Sequence, residues 1–257
     1  LQSFALHHAA DFIVNVTPVR SVPPRRMPMK QLALCLAAPP APTLDNFVTG
    51  RNAELLATLR AWAAGGAGEP VLMLWGAPGS GRSHLLRAVL AALAGRGRDT
   101  AGGLAAAPAL ADDGVLAADD VDRLGDHDQI LLFNTCNRLK AGGGLLIAAA
   151  GAPPARLALR EDLRTRLGSG LVYEVHALSD EDRRAALAAY TVARGFALPA
   201  EVGDYLLARV PRDLATLRAL IDTLDRVSLE QKRAVTVPLA REVLQRLQLL
   251  KNHEGVR

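Results

Sequence analysis

The chain has 257 residues, a formal net charge of +4, a pI near 9.4, half its residues hydrophobic and only 4% aromatic. That much apolar material excludes a disordered chain or a staple-dependent miniature fold, and allows one large domain or a medium domain with a small companion. The longest uncharged stretch, residues 141–155, is short and broken by Gly and Pro, so no membrane span is expected; Cys35 and Cys136 match no metal or redox spacing and fit a reduced cytosol.

Residues 1–28 contain a Pro-rich basic run and no period that continues onward, with no basic region leading into an apolar one as a secretory signal has. With Met27 and Met29 adjoining, this stretch is expected to be an extension ahead of the natural start. A hydrophobic hexapeptide (31–36) and a stiff Pro-rich linker (37–42) follow, and the globular part opens near Thr43. Residues 51–64 have helical spacing, with Leu55, Leu56, Leu59 and Trp62 on one face. Residues 71–75 are wholly apolar, as in a buried parallel strand. A Gly-rich turn at 76–81 leads into a helix over 83–93. Apolar strands are expected at 115–118, 145–149 and 171–175, with a helix over 126–139; residues 96–110, rich in Gly and Ala, suggest no element. After Ser179 the strands stop and helices are expected at 180–194, 199–209, 212–229 and 238–247. The expected fold is an α/β nucleotide-binding domain to about residue 177, with a parallel sheet, followed by a small all-α domain.

The chemistry concentrates in Gly76-Ala77-Pro78-Gly79-Ser80-Gly81-Arg82-Ser83, between a buried strand and an amphipathic helix. It fits the phosphate-loop pattern at every fixed position except that Arg82 replaces Lys. Such glycines let backbone N–H groups curl around phosphate oxygens, and the following helix aims its positive dipole end at them. Ser83 would offer a hydroxyl to Mg²⁺. The strand ending in Asp119 and Asp120 is where such a fold keeps an acid for Mg²⁺ or its water (Asp119) and one that orients water (Asp120), although Asp pairs also simply terminate strands. Arg is bulkier than Lys and permanently charged. It can grip a diphosphate but crowds the next phosphate position, so nucleotide binding is expected more than hydrolysis.

With these residues in view the sequence resembles the DnaA-related branch of the AAA+ family, and within it the Hda-type regulators. Four stretches carry the resemblance. Thr43-Leu-Asp-Asn-Phe-Val-Thr-Gly-Arg-Asn52 is similar to an entry motif that packs around adenine, which implicates Phe47 and Val48. Trp75 to Leu85 resembles the branch's phosphate loop, including the Arg-for-Lys exchange, and adds His84. Residues 178–199 match the opening of a helical lid, and 219–225 its third helix.

The resemblance implies an AAA+ P-loop domain with an all-α lid, binding ADP or ATP with Mg²⁺ through Ser83 and Asp119. It implies an arginine finger at Arg166, a side chain that otherwise reads as a solvated Arg in a charge-rich helix. Two departures matter: Ala215 stands where the family has a phosphate-sensing lid Arg, and Ala148-Ala-Ala-Gly151 replaces a polar sensor. Both, with Arg82, imply an ADP-holding protein with poor ATPase activity of its own. Residues 31–36 resemble a peptide that docks on the DNA polymerase sliding clamp, with Gln31 at the groove rim and Leu32, Leu34 and Leu36 as apolar contacts; a segment packing on its own domain would look alike. The implied function is negative regulation of chromosomal replication: the ADP-bound protein, docked on the DNA-loaded clamp, stimulates hydrolysis of ATP on the initiator DnaA. It would be cytoplasmic, reach DNA mainly through the clamp, touch no membrane, and have room for self-association. The alternative is an AAA+ loader or initiator-type ATPase acting on DNA directly; no helix-turn-helix segment follows the lid helices in this sequence, which weighs against it.

Overall fold

The computed structural model describes residues 40–65, 68–211 and 213–254, the last seven by backbone alone. A first helix, α1 (Ala53–Ala63), precedes strand β1 (Val71–Trp75), the phosphate loop and α2 (Arg82–Ala94). Then come β2 (Thr100–Gly102), β3 (Val115–Ala118), α3 (Asp126–Gly142), β4 (Leu145–Ala150), α4 (Glu161–Gly168) and β5 (Leu171–Glu174). All strand pairings are parallel, in the order β2-β3-β4-β1-β5. β1 therefore lies between β4 and β5, and its carboxyl end is a crevice position of the kind at which open α/β sheets bind ligands.

The apolar strand runs are explained by helices on both faces. Val71 and Met73 of β1, Leu116 and Ala118 of β3, and Leu146, Ala148 and Ala150 of β4 pack with Leu132, Cys136 and Leu139 of α3 and Leu163 and Leu167 of α4. The intervening Leu72, Leu74, Val115, Ala117, Ile147 and Ala149 pack on the opposite side with Leu55, Leu59 and Trp62 of α1 and Leu85, Leu86 and Val89 of α2. Period-two alternation thus feeds two cores, and neither face can be polar.

Strand β2 and a 3-10 segment (Leu104–Ala109) occupy the stretch for which the sequence suggests no element. Only three residues of β2 pair, and the 3-10 segment is held from outside. Arg138 of α3 donates to the carbonyls of Ala107 (2.7 Å) and Leu110 (2.6 Å) and to Asp112 (2.7 Å). A structure held by a side chain about thirty residues away leaves no local period to read.

Beyond β5 the chain is helical: α5 (Asp180–Ala193), α6 (Ala200–Leu207), α7 (Leu214–Gln231) and α8 (Val237–Glu254). Ser179 and Asp182 form a reciprocal capping box at α5, and Asp213 caps α7 through the N–H of Thr216 at 2.8 Å. Leu187, Leu206, Leu217, Ile221, Leu224 and Leu239 form the buried interior of this bundle. Across it, the Tyr190 hydroxyl donates to Asp222 at 2.7 Å, with Arg194 3.2 Å from the same carboxylate. Burial, and then the Asp222 carboxylate, hold the Tyr190 phenol above its ordinary pKa. No helix among the described residues is long and apolar enough to cross a membrane.

Candidate nucleotide site

The loop after β1 is shaped by three glycines, each for its own reason. Gly79 (φ +77°) and Gly81 (φ +102°) are in the left-handed region that favours glycine. Gly76 has no such φ, but a Cβ there would lie 2.4 Å from the carbonyl oxygen of Val175, the residue after β5. The turn closes with the N–H of Ser80 on the carbonyl of Ala77 at 3.1 Å, and Gly81 is the N-cap of α2. The first N–H groups of a helix have no partner within it, so the start of α2 offers donors to an anion.

Residues 43–52 fold over this loop. Thr43 and Asn46 exchange side-chain-to-backbone hydrogen bonds, and the Asn46 amide also donates to the Ala41 carbonyl. This knot carries Phe47 against Gly81, where an added Cβ would meet Phe47 Cε2 at 2.7 Å. Phe47 also leans on His84, ring centroids 5.6 Å apart. His84 Nε2 donates to the Thr43 carbonyl at 2.9 Å, an acceptor-only oxygen that sets the tautomer. Burial lowers the His84 pKa; the Thr43 bond opposes this, while Arg218 and Arg87 add to it. Asn52 anchors the far end: its side chain accepts from the N–H of His176 (2.8 Å) and donates to the carbonyls of His176 (2.9 Å) and Thr49 (3.1 Å).

Between the loop, residues 40–48 and the helical bundle lies a cavity of about 420 Å³. Phe47, Val48, Gly79, Ser80, Gly81, Arg82, Ser83 and His84 line it, as the sequence suggests. Gly76, Ala77 and Pro78 do not; they shape the turn behind it. The lining adds three cations not read from the sequence: Arg87 of α2, and on the helical side Arg183 of α5 and Arg218 of α7. Arg183 also pairs with Asp180 at 2.9 Å. Arg218 lies on α7 three residues after Ala215, which lines the cavity too, so the helix presents an arginine on that face one turn later. Its guanidinium stands 5.3 Å from the Tyr190 ring centroid. The periodicity of α7 could have pointed to it. Arg212 lies outside the described residues.

A nucleotide phosphate fits this wall. Ser80 is 5% exposed, yet its buried Oγ has no hydrogen-bond partner, and neither does Arg82 Nη1. Space is open beside Gly79. Two unpartnered buried groups on residues that line a cationic cavity are an arrangement that an anion would satisfy.

Of the donors expected for Mg²⁺, one lines the cavity and two do not. Ser83 lines the cavity, but Asp119 and Asp120 are not part of its lining. Asp119 is exposed, and its Oδ1 accepts the N–H of Asp120 at 3.0 Å. Asp120, at φ +47°, turns its carboxylate to Arg82 (3.9 Å) and Arg123 (3.6 Å). Among the described residues no three His, Cys, Asp or Glu side chains group as a metal set.

Arg166 is elsewhere, on α4, whose Leu163 and Leu167 are fully buried. It is not among the lining residues of the cavity, and its buried Nε has no hydrogen-bond partner. Its charge is felt by Cys136, whose thiol pKa burial nonetheless raises. Gln31, Leu32, Leu34 and Leu36 lie outside the described residues.

The family model described as Hda, lid domain, matches residues 180–244, the span of α5 to α8. Domain III of the replication initiation protein DnaA from Thermotoga maritima superposes with a TM-score of 0.67 at 22% identity, covering 81% of this chain and 98% of that one. The chain has the fold of DnaA domain III, and its residues 180–244 match the Hda lid. AMPPCP-bound DnaA from Aquifex aeolicus matches with a TM-score of 0.59 at 23% identity, over 75% of this chain and 67% of that one. A RuvB mutant from Thermotoga maritima matches with a TM-score of 0.60 at 16% identity, over 80% and 73%. The segment that matches the Hda lid supplies Arg183 and Arg218 to the cavity, and the α/β domain supplies the loop.

Proposed function

We infer that this AAA+ protein is a nucleotide-binding regulator of replication initiation. It holds an adenine nucleotide, ADP in preference, between the phosphate loop and the Hda lid. In that state it presents Arg166 to ATP bound on the initiator DnaA and promotes its hydrolysis, while Gln31 to Leu36 hold it on the DNA-loaded sliding clamp. The observation that carries the reading is the cationic cavity between the phosphate loop and the segment that matches the Hda lid, with Ser80 Oγ and Arg82 Nη1 of its lining residues unpartnered. That Arg166 does not line this cavity supports action in trans, since it does not serve the chain's own nucleotide. A finger of this kind neutralises transition-state charge and contributes about 10³–10⁵ in rate in GTPase systems. Weak intrinsic turnover accompanies the reading, since Arg82, Ala215 and Ala148-Ala-Ala-Gly151 replace the residues that would serve hydrolysis.

The test is hydrolysis of DnaA-bound ATP with and without clamp loaded on DNA. Stimulation is expected only with clamp, DNA and ADP-loaded protein together, and Arg166→Ala is expected to abolish it while leaving ADP affinity unchanged. Undiminished stimulation by the Ala variant would remove the finger assignment. Tight binding to bare duplex DNA without clamp would favour a loader that acts on DNA directly.

A further inference from the structure

We propose that the site binds its nucleoside diphosphate as the metal-free anion, with the Arg82 guanidinium standing in for the divalent ion. The inference rests on the nucleotide reading above and concerns the chemical form of the ligand. Three observations converge. First, the Arg82 side chain, only 12% exposed, is directed to the strand ends: Nη2 is 3.9 Å from Asp120 Oδ1, and Nη1 is 3.9 Å from where a Gly151 Cβ would be. Gly151 follows β4 and so leaves room for the guanidinium; its N–H donates to Asp122 at 3.3 Å. A fixed cation therefore occupies the gap between the β3 acids and the loop, where a hydrated Mg²⁺ would otherwise bridge Ser83 to a carboxylate.

Second, the acids are already engaged. Asp120 faces both Arg82 and Arg123, so a divalent ion would have to displace a guanidinium to gain that carboxylate, and one oxygen of Asp119 already accepts the Asp120 amide. Mg²⁺ demands near-octahedral oxygen coordination and dehydrates reluctantly, which makes that exchange unfavourable.

Third, the wall is cationic without a metal. Arg82, Arg87, Arg183 and Arg218 line the cavity against one carboxylate, Asp213, which is already capping α7. A diphosphate whose terminal group has its second pKa near 6 carries about three negative charges at neutral pH. Arg82 is shared with Asp120 and Arg183 with Asp180, while Arg87 and Arg218 add two further guanidinium groups, so the wall favours the more negative metal-free diphosphate over the Mg²⁺ complex, which is two charges less negative. Arg differs from Lys in this role, because its planar fork contacts an acid and a phosphate at once, whereas an ammonium is a single compact charge.

The experiment is titration of the full chain with ADP, in excess EDTA and in millimolar Mg²⁺, for wild type and Arg82→Lys. Wild-type Kd is expected to agree within about threefold between the two buffers, and R82K to bind about tenfold or more tightly with Mg²⁺ than with EDTA. With wild type, Mn²⁺ and ADP, electron paramagnetic resonance is expected to show no protein-bound Mn²⁺; this arm needs no variant to fold. Wild-type affinity that collapses in EDTA, or a protein-bound Mn²⁺ signal, overturns the proposal while leaving nucleotide binding intact. Metal-independent binding retained by R82K overturns the role of Arg82. Absence of ADP binding in both buffers overturns the nucleotide reading and the inference with it.

Discussion

Replacing Gly76 by Ala adds one methyl group to a loop that also contains Gly79, and the two positions resist Ala for different reasons. At Gly76 the new Cβ would lie 2.4 Å from the Val175 carbonyl oxygen and 3.0 Å from Ser80 Oγ. An ordinary carbon–oxygen approach is about 3.3 Å, so Val175 must withdraw by about 1 Å. Val175 is buried, and its N–H donates to the Trp75 carbonyl at 2.6 Å, so retreat strains or breaks the last bond between β1 and β5. Overpacking costs about 1–3 kcal/mol, and a buried N–H left unpaired about 1–3 more, for a total of about 2–6 kcal/mol. At Gly79 nothing lies within 4 Å of an added Cβ, so only the positive φ opposes Ala, at about 1–2 kcal/mol. Urea unfolding without nucleotide separates the two. The chain's two tryptophans, Trp62 and Trp75, are both in the α/β layer, so fluorescence reports that layer and not the lid. The expected order of midpoints is wild type, then Gly79→Ala, then Gly76→Ala. A Gly79→Ala variant as destabilised as Gly76→Ala would refute the steric argument.

Asn52→Ala removes a buried amide that satisfies both backbone groups of His176; the expected loss is about 1–3 kcal/mol, read as a fall in Tm of about 2–4 °C per kcal/mol. His84 gives a pH test with a defined sign. Its folded-state pKa is lowered, chiefly by burial, so on acidification the unfolded chain takes up the proton first. The stability His84 contributes is therefore complete above the ordinary histidine pKa of about 6.5 and is lost as pH falls through the lower folded value. Urea midpoints of wild type relative to His84→Asn are expected to converge as pH falls below about 6.5; parallel midpoints would contradict this, since the other histidines are common to both proteins.

Much of this protein was legible along the chain because its signals are local. The run 71–75 is a strand over those residues, and the strand–loop–helix order around Gly76 to Ser83 appears as the pattern requires. Ser179-Asp-Glu-Asp182, a serine followed by acids, forms a capping box at the start of α5. Residues 100–109 were not legible, because β2 is three residues long and the following turn is held by Arg138 from α3. The cavity's second wall was hidden in the same way. Arg183 and Arg218 are ordinary helix-surface arginines in sequence, and only the placement of the lid helices turns them toward the phosphate loop.

The acidic strand end marks the division most clearly. Composition and periodicity determined that a hydrophobic strand stops at Ala118 and that two aspartates follow, because backbone periodicity and burial are written residue by residue. Whether those aspartates face a metal or a guanidinium depends on where Arg82, 38 residues earlier, directs a flexible side chain. That choice is made by the packing of β1, β3 and β4 and by the space Gly151 leaves, an assembly of distant segments that no local pattern encodes.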